Sequence, residues 1–134
     1  MKNLFAVIAC FFCIACTQKS EFARRLSGSD SLVIQFNKLH TNSIEKSVNT
    51  TSKTAIHKMA SFLNTQKVQT RSCYFNGNII FYNKKNRVAD IVFNNAKKEC
   101  WQFTFELNGA LTSRAMRQEA ADFLKSLAEG KSSY

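Results

Sequence analysis

The sequence predicts an α+β domain, an antiparallel sheet of about five strands packed by two helices in the order β-α-β-β-β-β-α. Three observations predict it. Segments of period-two hydrophobicity recur between residues 31 and 107, mostly separated by turn-forming Asn, Gly and Lys. Two further segments carry apolar residues at helical spacing. The chain is 45% hydrophobic, with four Gly and no Pro, which excludes disordered, collagen-like and Pro-rich classes.

Residues 31–37 alternate Leu32, Ile34 and Phe36 against Val33, Gln35 and Asn37, the pattern of a half-buried strand. A polar loop is expected through Asn49, with one helical turn where Ile44 and Val48 share a face. Residues 52–65 form a helix, with Ile56, Met59, Ala60 and Leu63 on one face and Thr51 or Ser52 as its cap. Four strands follow, over 68–74, 79–82, 88–93 and 100–107. Asn76-Gly77 is the favoured spelling of a tight hairpin between the first two. Turns at 83–86 and 94–98 join the others. In the last strand Trp101, Phe103, Phe105 and Leu107 oppose Cys100, Gln102, Thr104 and Glu106, and Asn108-Gly109 ends it. A helix over 113–128 presents Met116, Ala120, Phe123, Leu124 and Leu127, capped by Thr112 or Ser113 and closed at Gly130.

The N-terminus reads as an address. Lys2 precedes an unbroken apolar run of 12 residues, Leu4 to Ala15. A spanning helix needs about 20, so the run has the length of a signal-peptide core. It closes on Cys13-Ile14-Ala15-Cys16. These residues resemble the lipobox of bacterial lipoproteins, with Cys13 where Leu is usual. The resemblance implies that Cys16 becomes the first mature residue and carries the acyl chains, palmitate among them. Two such chains hold a protein firmly on a bilayer. The Phe- and Cys-rich leader resembles those of Bacteroidota lipoproteins. Thr17-Gln18-Lys19-Ser20 lacks the acidic tract associated there with surface export, so the resemblance implies an envelope protein facing the periplasm. The segment from Cys73 to Tyr82, followed by Cys100 and a C-terminal helix, resembles small lipoproteins of the same phylum, which brings no activity with it. The implied organisation is a leader over 1–15, a lipidated Cys and polar tether over 16–30, one domain over 31–130 and a tail over 131–134.

Once Cys10 and Cys13 leave with the leader and Cys16 takes lipid, Cys73 and Cys100 remain in an oxidising compartment. A structural disulfide is favoured over two buried thiols or a metal site, since neither Cys has the neighbours of a zinc site. One tension stands against it. In a simple meander the two strands lie three places apart, about 14 Å at about 4.8 Å per step, and a bridge tolerates about 7 Å. Either the sheet curls, the strand order is not sequential, or the bridge is absent.

Little in the sequence points to chemistry. There is no phosphate loop, no His-Glu-x-x-His and no metal-ligand spacing, and no cofactor is expected. His40 and His57 have no triad partners in sequence; Asp90 and Glu106 could face each other as a carboxylate pair, and a pocket gathering Asp90, Glu106 or His40 would favour a hydrolase. The remaining signal is charge. The chain has 19 basic and 9 acidic residues, net +10, and loss of Lys2 leaves +9. Lys84, Lys85 and Arg87 mark one turn, Lys97 and Lys98 another, and Arg114, Arg117 and Lys125 the polar face of the last helix. A basic surface near Tyr74, Tyr82 and Trp101 suits an anionic glycan or lipid surface better than nucleic acid, given the compartment. The expectation is a membrane-anchored, non-catalytic binding or accessory module whose partner is an envelope protein or anionic glycan.

Overall fold

The computed structural model describes residues 20–133. The α+β class stands, but the count differs: seven strands and three α-helices replace five and two. In chain order these are α1 (Glu21–Ser27), β1 (Ser31–Asn37), β2 (Ile44–Thr50), α2 (Lys53–Phe62), β3 (Lys67–Val68), β4 (Gly77–Asn83), β5 (Asn86–Asn94), β6 (Gln102–Leu107), β7 (Ala110–Ala115) and α3 (Gln118–Ala128). The strands make one sheet in the order β2-β1-β4-β5-β6-β7-β3, with every neighbouring pair antiparallel. One face carries Leu32, Ile34, Ile79, Phe81, Ile91, Phe93, Phe103 and Phe105 into a single core with the three helices.

Residues 21–27 are no tether. Ser20 caps a helix by accepting a bond from the Ala23 N–H, and Phe22 and Leu26 enter the core. The Phe22 ring stacks on Phe105 at 4.3 Å, and Arg25 reaches the Val88 carbonyl. This matters because β5 and β6 pair over only three positions, from Val92–Thr104 to Asn94–Gln102. Beyond them a cleft opens between the strands, and α1 packs against it.

The expected helical turn at 44–48 is part of β2. Residues spaced by four satisfy both the helical and the strand period, and the β-branched Ile44, Val48 and Thr50 favour the strand. β2 also holds α3: Lys46 Nζ donates to the Leu127 carbonyl at 2.6 Å, at the negative end of the helix dipole. The predicted helix over 113–128 begins only at Gln118. Ser113 and Thr112 are buried in β7, and Arg117 takes the N-cap place without a side-chain bond. Asn108 and Gly109, both at positive φ, form the hairpin that turns β6 into β7.

Of the strand expected over 68–74, only Val68 pairs, together with Lys67 before it, at the sheet edge beside β7. The chain then crosses β7, β6 and β5 as an irregular strap over residues 69–76 and enters β4 at the sheet centre. Side chains of the second sheet face dock this strap in place of a ladder. Gln102 accepts from the Arg71 N–H at 3.1 Å and donates to the Arg71 carbonyl at 2.9 Å. Thr70 meets Ser113 at 2.7 Å, and Asn94 donates to the Tyr74 carbonyl. Gln102, Thr104, Ser113 and Asn94 are therefore buried although polar. Asn76-Gly77 is correspondingly not a hairpin turn: Gly77 is the first residue of β4, paired with Phe36 and Phe93.

The strap also resolves the cysteine tension. Strand order is not sequential, Cys73 rides on the strap, and it is bonded to Cys100 with their Cα atoms 6.1 Å apart.

Candidate functional site

The antiparallel sheet has two ends with different chemistry. At one lie the β4–β5 and β6–β7 hairpins and the start of β1. At the other lie the β1–β2 loop, the end of the strap and the segment from Asn95 to Cys100.

The second end carries a groove of about 330 Å³, near the lower size of small-ligand pockets. Its walls are the β1–β2 loop and the strap, and the Cys73–Cys100 bridge lines it. The loop is shaped by its own bonds: Lys38 N–H donates to the Ser43 carbonyl at 2.8 Å and Thr41 N–H to the Lys38 carbonyl at 3.0 Å. His40 sits there at φ 58, and its ring meets the Tyr74 ring edge-on at 5.7 Å. The opposite wall is fixed by Asn76, whose Oδ1 accepts from the Asn95 and Ala96 N–H groups.

Two features set this groove apart. Of the five large hydrophobic side chains exposed among the described residues, Leu39, Tyr74 and Phe75 line it and Ile44 lies at the foot of the same loop. Tyr74 is 76% exposed and Leu39 69%, whereas single surface apolar residues on a small domain normally scatter. The charged residues lining it are Lys38 and Lys97, and no carboxylate does. The groove thus presents apolar and aromatic faces, amide groups and positive charge.

The predicted basic surface does not hold together. Lys84, Lys85 and Arg87 lie at the first end. Arg114 is on β7, not on the last helix, and is half-buried with its Nη1 donating to the Thr65 carbonyl at 3.0 Å. Arg117 stands at the N-cap position of α3, and Lys125 lies further along α3 beside a separate cleft with Trp101. Tyr74 and Tyr82 stand at opposite ends of the sheet.

Asp90 and Glu106 do share the cleft between β5 and β6. Asp90, however, is bound by Arg87 at 2.8 Å and by Asn78 at 3.1 Å, and His40 is at the other end of the sheet. The fold thus brings Asp90 and Glu106 to one cleft and leaves His40 apart from them. Among the described residues no cluster of His, Cys, Asp and Glu is placed to hold a metal ion, and no helix is long and apolar enough to cross a membrane. Cys16 lies outside the described residues.

No spacing in the sequence links Lys38 and Leu39 with Phe75 and Lys97. The available signal is the pair Tyr74-Phe75, two adjacent aromatic residues that directly follow Cys73.

No family model matches the chain, and neither a curated protein nor a solved structure is significantly similar to it.

Proposed function

We propose that the protein is a non-catalytic binding module held on the bacterial cell envelope by acyl chains on Cys16, and that the aromatic groove between the β1–β2 loop and the strap receives its ligand. The observation that carries the reading is the gathering of Leu39, Tyr74 and Phe75, all exposed, around a groove whose charged lining is Lys38 and Lys97. Exposed aromatic faces stack on planar or apolar groups, and the lysines select negative charge. The ligand class is therefore anionic with an apolar face, as an acidic glycan or an acidic peptide segment is. The lipobox resemblance and the net positive charge support the envelope setting.

The test is amide-resolved NMR titration with acidic oligosaccharides, an acidic aromatic peptide and neutral counterparts. Shifts confined to residues 37–40, 72–76 and 95–100, seen with an acidic probe and lost in Tyr74→Ala, are expected. Shifts spread over the surface, or equal for neutral probes, overturn the groove. The anchor is tested separately: palmitate label that persists in Cys16→Ala overturns it.

A further inference from the structure

The end of the sheet opposite the groove is basic. Lys84 and Lys85 occupy the tip of the β4–β5 hairpin, the exposed Arg25 of α1 reaches β5 beside it, and the exposed Arg24 is its neighbour in the helix. The fold ties these elements together. The Lys84 N–H donates to Asp30 Oδ2 at 2.6 Å, Asn83 donates to the Gly28 carbonyl, and Arg25 donates to the Val88 carbonyl. Lys53, at the start of α2, joins them through the Ser29 carbonyl at 2.8 Å. The acids nearby are largely spoken for. Asp30 holds the Lys84 N–H and the Ser31 hydroxyl, and Asp90 is paired with Arg87. Glu21 and Glu106 lie at the margins.

The spelling of the hairpin tip is a second, independent observation. Lys84 and Lys85 are both in the left-handed region, at φ 48 and 66. A two-residue turn of this kind favours Asn-Gly, because a longer side chain is strained at positive φ. The neighbouring hairpin at the same end has that spelling, Asn108 and Gly109, at φ 52 and 77. Two lysines thus stand where the fold would be better served without them. Strain kept at an exposed, charged tip points to a use for the charge.

The third observation is distance along the chain. α1 starts at Glu21, so only three residues separate Ser20 from Cys16, four Cα steps with a reach of at most about 14 Å. The long tether expected from the sequence does not exist, and Arg24 and Arg25 lie within the next turn of helix.

We propose that this end, presenting Arg24, Arg25, Lys53, Lys84 and Lys85, is a docking surface for anionic lipid headgroups. It lies against the membrane that holds the anchor. The groove then faces away from the bilayer, roughly 23 Å further out along the seven residues of β4. Headgroup binding stands on the charge and the turn; the orientation also rests on the anchor reading.

The experiment uses the lipidated protein extracted from envelopes and reconstituted into phosphatidylcholine vesicles, with or without a quarter of phosphatidylglycerol. A fluorophore is placed at Asn86→Cys or at Leu39→Cys, and quenching by a headgroup-attached nitroxide is read. Several-fold stronger quenching at 86 than at 39 is expected with phosphatidylglycerol. The contrast should shrink without that lipid and in 1 M NaCl. The variant Lys84→Asn/Lys85→Gly should reduce the contrast to its phosphatidylcholine level while melting no lower than the parent. That second readout separates lost binding from lost folding. Equal quenching at both positions, or a contrast indifferent to lipid, salt and variant, overturns the proposal. Protein that fails to stay with phosphatidylcholine vesicles overturns the anchor instead. Its salt-sensitive sedimentation with phosphatidylglycerol vesicles then supports the headgroup surface, and failure to sediment overturns it.

Discussion

Gly77 is the position at which the fold makes its sharpest demand. It is buried at the start of β4, between Phe36 of β1 and Phe93 of β5, and its φ is not positive. Its lack of a side chain therefore serves close approach rather than backbone freedom. A Cβ there would run into the Gln35 carbonyl oxygen and lie 2.8 Å from Phe93 Cζ. The first obstacle is backbone in a central strand pair, so relief requires β1 and β4 to separate. Overpacking costs about 1–3 kcal/mol where side chains can give way. With backbone in the way, Gly77→Ala is expected at or above the top of that range. For a domain of this size that corresponds to a fall of roughly 10–15 °C in melting temperature. Gly109 is the control. It has φ +77 and nothing within 4 Å of a built Cβ, so Gly109→Asn should cost less than about 1 kcal/mol. Urea and thermal unfolding of both variants decide the matter. Gly77→Ala within 1 kcal/mol of the parent, or Gly77→Asn tolerated as well as Gly109→Asn, would restore Asn76-Gly77 as a hairpin turn and refute the strap.

Three other outcomes are expected. Replacing Cys73 and Cys100 by Ser removes a bridge across a separation of 27 residues, which on loop entropy is about 3.5 kcal/mol. The urea midpoint should drop by roughly 2 M at a slope of about 1.5 kcal/mol/M, and an unchanged midpoint would leave the strap held by its hydrogen bonds alone. Phe22→Ala should cost about 3–5 kcal/mol as a core truncation; a loss under about 1 kcal/mol would return residues 21–27 to the role of a tether. The Asp30 carboxyl is held below its ordinary value, chiefly by the Lys84 N–H, with help from the Ser31 hydroxyl and the Lys53 charge. Because its folded value is lowered, its contribution is present above the ordinary carboxylate range and lost as pH falls through the lowered value. Carbon-detected titration of Asp30 should show that depressed midpoint, and a midpoint at or above the ordinary range would contradict the bond.

Much of the sheet was legible because β1 and β6 alternate strongly and β4 and β5 are short apolar runs bounded by turn residues. β1 and β4 to β6 carry large apolar residues on one face, and the helical spacing of Ile56, Met59 and Leu63 marks α2. The failures have physical causes. α1 has only two large apolar side chains in seven residues, too few for a period to show. β7 places Thr112 and Arg114 on the core side, and its Thr-Ser pair just before an apolar run mimics a helix cap. The strap alternates like a strand, but its backbone is claimed by Gln102 and Asn94. That signal was present in another form. Gln102 and Thr104 are uncharged polar residues on a face that solvent would let vary freely, and uncharged amides and hydroxyls are the groups that can be buried when partnered. Reading β6 as a two-sided strand would have called for a covering segment.

The same logic separates what charge can say from what it cannot. A count of basic residues has no direction, but antiparallel hairpins do. Successive turns fall at alternate ends of a sheet, so the tip at 84–85 and the segment at 97–98 must lie apart. The strap adds the element a meander lacks. It starts at the far edge beside β7 and delivers Tyr74 and Phe75 to the end that also holds Lys97. An aromatic pair and a lysine that are 22 positions apart in sequence become one groove, while Lys84, nearer to Tyr74 in sequence, is carried to the opposite end. Segregation of an aromatic groove from a strained basic tip thus follows from the alternation of the turns, and the crossover adds the sideways approach that brings Tyr74 and Cys73 beside Lys97 and Cys100. Any change that frees the strap should damage the groove first and leave the basic end in place, because Lys84 is tied to Asp30 and not to the strap.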